Sequence, residues 1–430
     1  MLRVLVLSTL FPDASRPNFG IFVERQTRAL AEREDVEVRV VAPLGLPPWP
    51  LARLSRYARL AALPERETWN GLTVHRPRFR NLPGTGGRFH ARALAAALAP
   101  LLRAIRGEFP FDVISAEFFF PDGPAAVLLG ERIGVPVSIK ARGSDIHDWG
   151  RRKTIGPQVI AAGRRADGVL SVSDALHADM IAMGIPGEKV ETIATGVDLA
   201  RFAPRDRAAA KAELGINGPL VLSVGALIPI KGHDIVIDAV STLPGVTLWI
   251  AGEGPDRKRL EARIEQLGLG DRVRLLGSIP PDRVAAALAA ADAMALASER
   301  EGLANAWLEA LASGTPIVVP DVGGARQVVT APAAGSIVPR TPAAFAEALG
   351  ALIAAPPAPA DTRAVAAPFT WAANSTPPAV RARGVTERDG RWTLFATCPS
   401  GPPKRRRSST TSCPRRSSRP RRRSARATWR

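Results

Sequence analysis

Glu301 and Glu309 stand with seven residues between them in the segment SEREGLANAWLEALASGTP, Ser298–Pro316. A strand pattern ends at Ala297, and Gly302 opens the turn into a helical pattern. Glu301 is therefore expected at a helix entrance and Glu309 about two turns, roughly 12 Å, further along. A helix N-terminus presents unpaired N–H groups and the positive end of the dipole, which suits a phosphate or diphosphate. A carboxylate accepts two hydroxyl donors, which is how sugar diols are held. Taken alone, two glutamates at this spacing read more readily as solvated helix positions.

Three other segments carry residue types of the same kind. In SVGALIPIKGHD, Ser223–Asp234, a strand pattern runs into Gly225, and Lys231-Gly232 leads into a helix. A lysine in a strand-to-helix turn neutralises a phosphate as a point charge, although on its own it also fits a surface lysine. In FPDASRPNFGIFVE, Phe11–Glu24, Gly20 stands before a helix and permits close backbone approach to a ligand. In KARGSDIH, Lys140–His147, the residues Arg142, Asp145 and His147 gather at the carboxyl end of a strand, where open α/β sheets hold ligands. His147 reads there as a satisfied structural histidine, and Asp145 equally as a helix cap.

The elements that must position these groups follow a simple alternation. Strand patterns fall at Arg3–Leu10, Val36–Val41, Asp112–Ala116, Val135–Lys140, Gly168–Val172 and Val190–Ile193, then at Leu220–Gly225, Val246–Ala251, Val273–Leu276, Ala293–Ala297 and Pro316–Val319. Helical patterns lie between them, among them Phe22–Arg33, Arg257–Leu267, Asp282–Ala291, Ala304–Ala312 and Pro342–Ala354. The alternation predicts an α/β fold with parallel sheets covered by helices. A single sheet of that many strands would be unusually wide. Two doubly wound, Rossmann-like domains facing across a cleft are expected instead, residues 1–200 and 201–375, with the break near Asp198–Arg207. Leu46–Arg80 contains Pro, Trp and seven arginines and reads as an irregular insertion.

The charge is unevenly distributed. The chain has 430 residues and a formal net charge of +18, but Thr376–Arg430 alone carries 16 Lys+Arg and 2 acids. Both cysteines, Cys398 and Cys413, lie in that tail as well. The remaining residues are close to neutral, and 46% of the whole chain is hydrophobic, enough for a sizeable core. The tail is rich in Arg, Pro and Ser, and its composition predicts disorder. It reads as a reading-frame change near Ser375 or as a segment with no selected role, in preference to an arm binding nucleic acid by counterion release. Two cysteines supply neither a disulfide framework nor a Cys-based metal site. Apolar runs such as Leu94–Leu102 fall far short of the ~18 residues of a membrane span. Leu2–Phe11 is followed by Pro12-Asp13 with no cleavage site, so a cytoplasmic protein is the expectation.

Taken together, these segments resemble the retaining GT-B glycosyltransferases of the large bacterial family 4. The resemblance covers roughly Leu2–Trp371. It includes Gly20, Arg142-Gly143-Ser144-Asp145, Ser171-Val172-Ser173, Thr195-Gly196-Val197-Asp198 with Phe202, and Gly225 through Lys231-Gly232. It continues with Ala251-Gly252-Glu253-Gly254-Pro255, Leu276-Gly277, the Glu301/Glu309 pair and Gly323-Gly324. Phe369-Thr370-Trp371 looks like the closing segment, near 366–375, that crosses back to the first domain.

The resemblance implies a nucleotide-diphosphate-sugar donor, with no cofactor and no metal. Lys231 would stabilise the leaving diphosphate, Glu309 the ribose hydroxyls, and Glu301 the donor sugar. The amides of Gly302 and Leu303 would meet sugar or phosphate oxygens, Gly20 would let its loop close over the diphosphate, and backbone near Ile279 would meet the base. The acceptor implied is a saccharide or a lipid-linked saccharide in cell-surface polysaccharide or glycolipid synthesis. Arg53, Arg56, Arg59, Arg66, Arg76, Arg78 and Arg80 could rest on an anionic membrane surface at its inner face, or form a solvated basic face. Three positions depart from the family pattern. Ala226 stands where an arginine is frequent, Arg142 where a histidine is frequent, and Gln327 where a glutamate is common. Arg142 is expected to bring positive charge toward the diphosphate. A catalytically impaired relative and a GT-B sugar-nucleotide epimerase are the alternatives.

Overall fold

Short β-branched runs and amphipathic stretches assort into two parallel sheets in the computed structural model, which describes residues 1–374 and the strands Val385–Arg388 and Arg391–Leu394. Apart from that antiparallel pair, the expected tail at 376–430, with both cysteines, lies outside the described residues.

The first sheet has eight strands. From one edge they are Val190–Thr192, Gly168–Ser171, Val137–Ala141, Val113–Ala116, Leu2–Leu7, Val36–Val41, Leu72–His75 and Arg66–Trp69. All neighbours pair parallel except the last two. The central strands are buried on both faces, as a sheet sandwiched by helices requires.

The second sheet has six parallel strands: Val273–Gly277, Thr247–Ala251, Leu220–Val224, Ala293–Ala295, Ile317–Val319 and Gly335–Ile337. In both sheets the chain starts in the middle and winds outward in two directions. The reversal falls between Leu2–Leu7 and Val113–Ala116 in the first, and between Leu220–Val224 and Ala293–Ala295 in the second. Such a switch point leaves a crevice beyond the strands' carboxyl ends. The loops carrying Lys231 and Glu301 leave the two strands at the second switch point.

Leu46–Arg80 corrects the expectation of an irregular insertion. Arg66–Trp69 and Leu72–His75 form a hairpin that completes the first sheet. Its two-residue turn is Asn70-Gly71, with φ of 47° and 84°, the double positive φ of a type I′ turn. Leu44–Leu46 pairs with Arg78–Arg80. The arginines here do not form one basic face. Arg76 is fully buried, pairs with Glu67 at 2.5 Å and donates to the Pro12 carbonyl at 2.7 Å. Arg78 donates to the carbonyls of Arg76, Ala61 and Leu63. Arg53, Arg59, Arg66 and Arg80 are exposed, and the side chain of Arg56 lies outside the described residues.

The segment Phe369–Asn374 returns to the first sheet's side. The Phe369 carbonyl accepts from the Val197 amide at 2.7 Å, and Asn374 donates to the Thr195 carbonyl at 3.3 Å. Arg363 clamps the same junction by donating to the carbonyls of Leu199, Phe202 and Ala312.

Candidate functional site

Helix Asn305–Ala312 buries Trp307, Leu308 and Ala310–Ala312. Glu309 is the charged residue in this largely apolar helix, which opens with Asn305. No side chain caps the helix at Ala304, so its first N–H groups remain available to an anion. Residues Leu303–Ala306 and Glu309 line a cleft of about 550 Å³, together with Gly225, Ala226, Lys231 and Glu301 from the same sheet's loops. The first sheet's side contributes Asn18, Ile21, Phe22, Arg142, Val172 and Thr195. The cleft thus brings together Arg142, Gly225, Lys231, Glu301, Leu303 and Glu309. Gly20, Ile279 and Gly302 are not among its lining residues.

Lys231 and Glu301 form the central pair. Lys231 Nζ lies 2.5 Å from Glu301 Oε1, and Ser298 Oγ donates to the same oxygen at 2.6 Å. The loop bearing Lys231 is held by His233, a residue the sequence reading passed over. Burial pushes the His233 imidazole down to about 4, so it stays neutral. Nδ1 faces Ser223 Oγ at 3.0 Å and Nε2 faces the Ala226 carbonyl at 3.3 Å. A carbonyl only accepts, so Nε2 carries the proton and Nδ1 receives the serine hydroxyl.

Arg142 reaches the cleft with its charge already engaged. Its guanidinium donates to Glu117 Oε2 at 2.5 Å, to the Glu117 carbonyl at 3.1 Å and to Gln26 Oε1 at 2.9 Å. Both side chains of the pair are buried. Glu117 compensates the cation expected to face a diphosphate, and no feature of the sequence around Glu117 pointed to it. Asp145 does not face the cleft chemistry; its carboxylate accepts from the amides of Phe119, Arg142 and Gly143 and shapes that loop. His147 pairs with Asp179 at 2.8 Å, which makes it the structural histidine the sequence allowed.

Gly20 adopts φ 67°, and a Cβ there would lie 2.5 Å from the Leu10 carbonyl. It therefore turns the chain into helix Ile21–Ala31, while its neighbours Asn18 and Ile21 face the cleft. Gly302 brings the two halves' backbones close together. A Cβ on it would lie 2.5 Å from the Arg142 carbonyl and 2.9 Å from Val172. Gln327 joins the halves too. It accepts from the Asp174 amide at 3.1 Å and donates to the Asp174 carboxylate at 2.9 Å. A glutamate there could not donate to Asp174 at neutral pH.

Below the Arg142 strand end lies Lys140, buried, with no hydrogen-bond partner on Nζ among the described residues. Burial, aided by Arg142, pulls its ammonium down from 10.5 to about 7. Between about pH 7 and 10.5 the unfolded chain binds more protons there than the folded one, so this residue makes stability rise with pH across that window. Lys140→Met, of similar length, is expected to raise the melting temperature, by an amount corresponding to a few kcal/mol below pH 7 and fading toward pH 10. Melting curves at pH 6 and pH 9 check this; an equal or reversed difference at the two pH values would count against it.

Among the described residues, no helix is long and apolar enough to cross a membrane, and no three His, Cys, Asp or Glu side chains stand together as a metal site.

Comparison with known proteins follows the same division of the chain. A family model described as Glycosyltransferase Family 4 matches residues 20–201, and one described as Glycosyl transferases group 1 matches residues 205–367. A D-inositol 3-phosphate glycosyltransferase of Xylanimonas cellulosilytica is 30% identical over 389 residues, covering 82% of this chain and 88% of the relative. A Bacillus subtilis glycosyltransferase named for teichuronic acid biosynthesis is 27% identical over 360 residues, covering 81% and 88%. The fold is similar to that of the Anabaena protein HepE, solved with UDP and glucose, with a TM-score of 0.64 at 21% identity over 86% of this chain and 96% of that one.

Proposed function

Because the chain belongs to the GT-B glycosyltransferases of the family 4 type, we propose that it moves a hexosyl group from a nucleotide-diphosphate donor, with retained anomeric configuration, to a saccharide or lipid-linked saccharide acceptor. The observation that carries this reading is the convergence of Lys231, Glu301 and Glu309 with an uncapped helix N-terminus on one cleft. In the reaction, the bond between the sugar's anomeric carbon and the diphosphate oxygen breaks, and the electron pair leaves with the diphosphate. Lys231 and the N–H groups at 303–306 hold that growing charge. The acceptor hydroxyl attacks the oxocarbenium-like carbon from the face the diphosphate is leaving, and its proton passes to a phosphate oxygen. Glu301, set by Ser298 and Lys231, meets the sugar hydroxyls; Glu309 meets the ribose. The protein contributes positioning and fixed electrostatics.

Two observations support an acceptor in cell-surface polymer or glycolipid synthesis, reached at an anionic membrane face. The Bacillus relative carries a name from such a pathway. Trp49, Leu51, Leu54, Leu82 and Phe89 are exposed on the first sheet's side, in the same stretch as the exposed Arg53, Arg59, Arg66 and Arg80. Exposed apolar and basic side chains in one stretch of sequence are the residue types an anionic lipid interface takes up.

A donor screen with UDP-, GDP- and ADP-hexoses tests the reading, with acceptors offered free and in anionic vesicles and the product's anomeric configuration read by NMR. One productive donor with an α-linked product from an α-linked donor is expected. An inverted product would overturn the retaining mechanism.

A further inference from the structure

Helix Ile21–Ala31 on the first sheet's side places Arg25 against Glu309 of the second, across 284 positions of sequence. Arg25 Nη1 donates to Glu309 Oε1 at 3.3 Å, with the two side chains 13% and 16% exposed. Glu309 borders the 550 Å³ cleft that holds Lys231 and Glu301. Arg25 borders a second cavity of about 540 Å³, with Arg201, Pro281 and Trp371, and Ile21 borders both. The ion pair therefore stands at the partition between the two spaces.

Burial pushes the Glu309 carboxyl up, and Arg25 is the main influence pulling it back, followed by Arg201. A protonated carboxyl has one oxygen committed to its own hydrogen, whereas a carboxylate accepts at both. Among the described residues, Oε1 takes the guanidinium, and Oε2 remains for another donor.

Resting on the donor reading above, we propose that Arg25 is a positioning residue for the nucleoside end of the donor: it fixes the Glu309 carboxylate through Oε1 and leaves Oε2 to the ribose hydroxyls. The ribose site is then built from both halves of the molecule.

Calorimetric titration with UDP, GDP and ADP, and with the 2′,3′-dideoxy form of whichever binds, tests this in wild type, Arg25→Ala, Arg25→Lys, Glu309→Gln and the double variant Arg25→Ala/Glu309→Gln. Arg25→Ala is expected to weaken the bound diphosphate about tenfold or more, with part of the affinity restored in Arg25→Lys. The loss should vanish for the dideoxy compound and in the Glu309→Gln background. An equal loss in either of those two arms marks Arg25 as a general structural contact and overturns the proposal, as does wild-type affinity in Arg25→Ala. A folded wild type that binds none of the three diphosphates overturns the functional reading itself, and this inference with it.

Discussion

Lys231→Ala is expected to lower transfer by about 100- to 1,000-fold, the loss that follows removal of one fixed group stabilising charge that develops in the transition state. Lys231 is poised on Glu301 at 2.5 Å and remains 21% exposed toward the cleft. An arriving diphosphate adds acceptors for an ammonium that has three donors, so the lysine can serve the leaving group and Glu301 together. Its removal acts twice. The leaving group loses its cation, and Glu301, now uncompensated, repels the diphosphate from the same place. Both kcat and kcat/KM should fall, because the charge on the leaving oxygen is larger in the transition state than in the bound donor. Steady-state kinetics with the productive donor measure this. A variant within a few-fold of wild type would remove Lys231 from the chemistry.

Gly302→Val is expected to abolish most of the activity for a different reason. No side chain fits at Gly302, where the Arg142 carbonyl and Val172 Cγ2 crowd the Cβ position from the first half. The facing residue is also glycine: Gly143, at φ 120°, would place a Cβ 2.8 Å from the Gly302 amide nitrogen. Neither backbone can yield without separating the halves. An added isopropyl group should therefore hold the cleft open, with Arg142, Thr195 and Arg25 withdrawn from Leu303, Asn305 and Glu309. Each half keeps its own sheet and a smaller core cluster, but the largest hydrophobic cluster runs through both, from Leu5 and Ile139 to Leu222 and Trp307, so the unfolding midpoint should fall along with the activity. Small-angle scattering should report a larger radius of gyration, and transfer should drop by at least about 100-fold, as displacement of a positioned group by an ångström or more does. Full activity in a folded Gly302→Val chain would show that the close approach at Gly143 and Gly302 is not needed for catalysis.

The sequence made the sheets readable because parallel strands buried on both faces are written as largely apolar, β-branched runs with few polar interruptions. Leu2–Leu7, Val113–Ala116 and Leu220–Val224 are of this kind. Helix Asn305–Ala312 was legible as an apolar helical stretch, but Glu309 on it read as a solvated position until the family resemblance gave it a ligand; in the structure it is largely buried against Arg25. The hairpin at Arg66–His75 carried a signal that was overlooked. Asn70-Gly71 is a strong two-residue turn, but the arginines around it read as a solvent face. Arg76 and Arg78 instead satisfy backbone carbonyls inside the fold, and a guanidinium buried in that way looks no different in sequence from an exposed one. Gly335–Ile337 is a three-residue edge strand, too short to show a period. Glu117 and Arg25 were illegible for a geometric reason. Their partners lie 25 and 284 positions away; Arg25 sits on an amphipathic helix and Glu117 in the loop after strand Val113–Ala116, where a charged residue is by default a surface residue. Glu117 meets Arg142 beyond two adjacent strands of the first sheet, and Arg25 meets Glu309 across the two halves, pairings that local pattern does not encode.

The proposed function requires that the cleft between the two sheets' loops hold a nucleoside diphosphate on Lys231 and Glu309. Calorimetric titration of the purified wild-type chain and of Lys231→Ala with UDP, GDP and ADP tests it most directly. One of the three should bind the wild type with a stoichiometry of one and bind Lys231→Ala at least about tenfold more weakly. Equal binding to both folded proteins would contradict the claim.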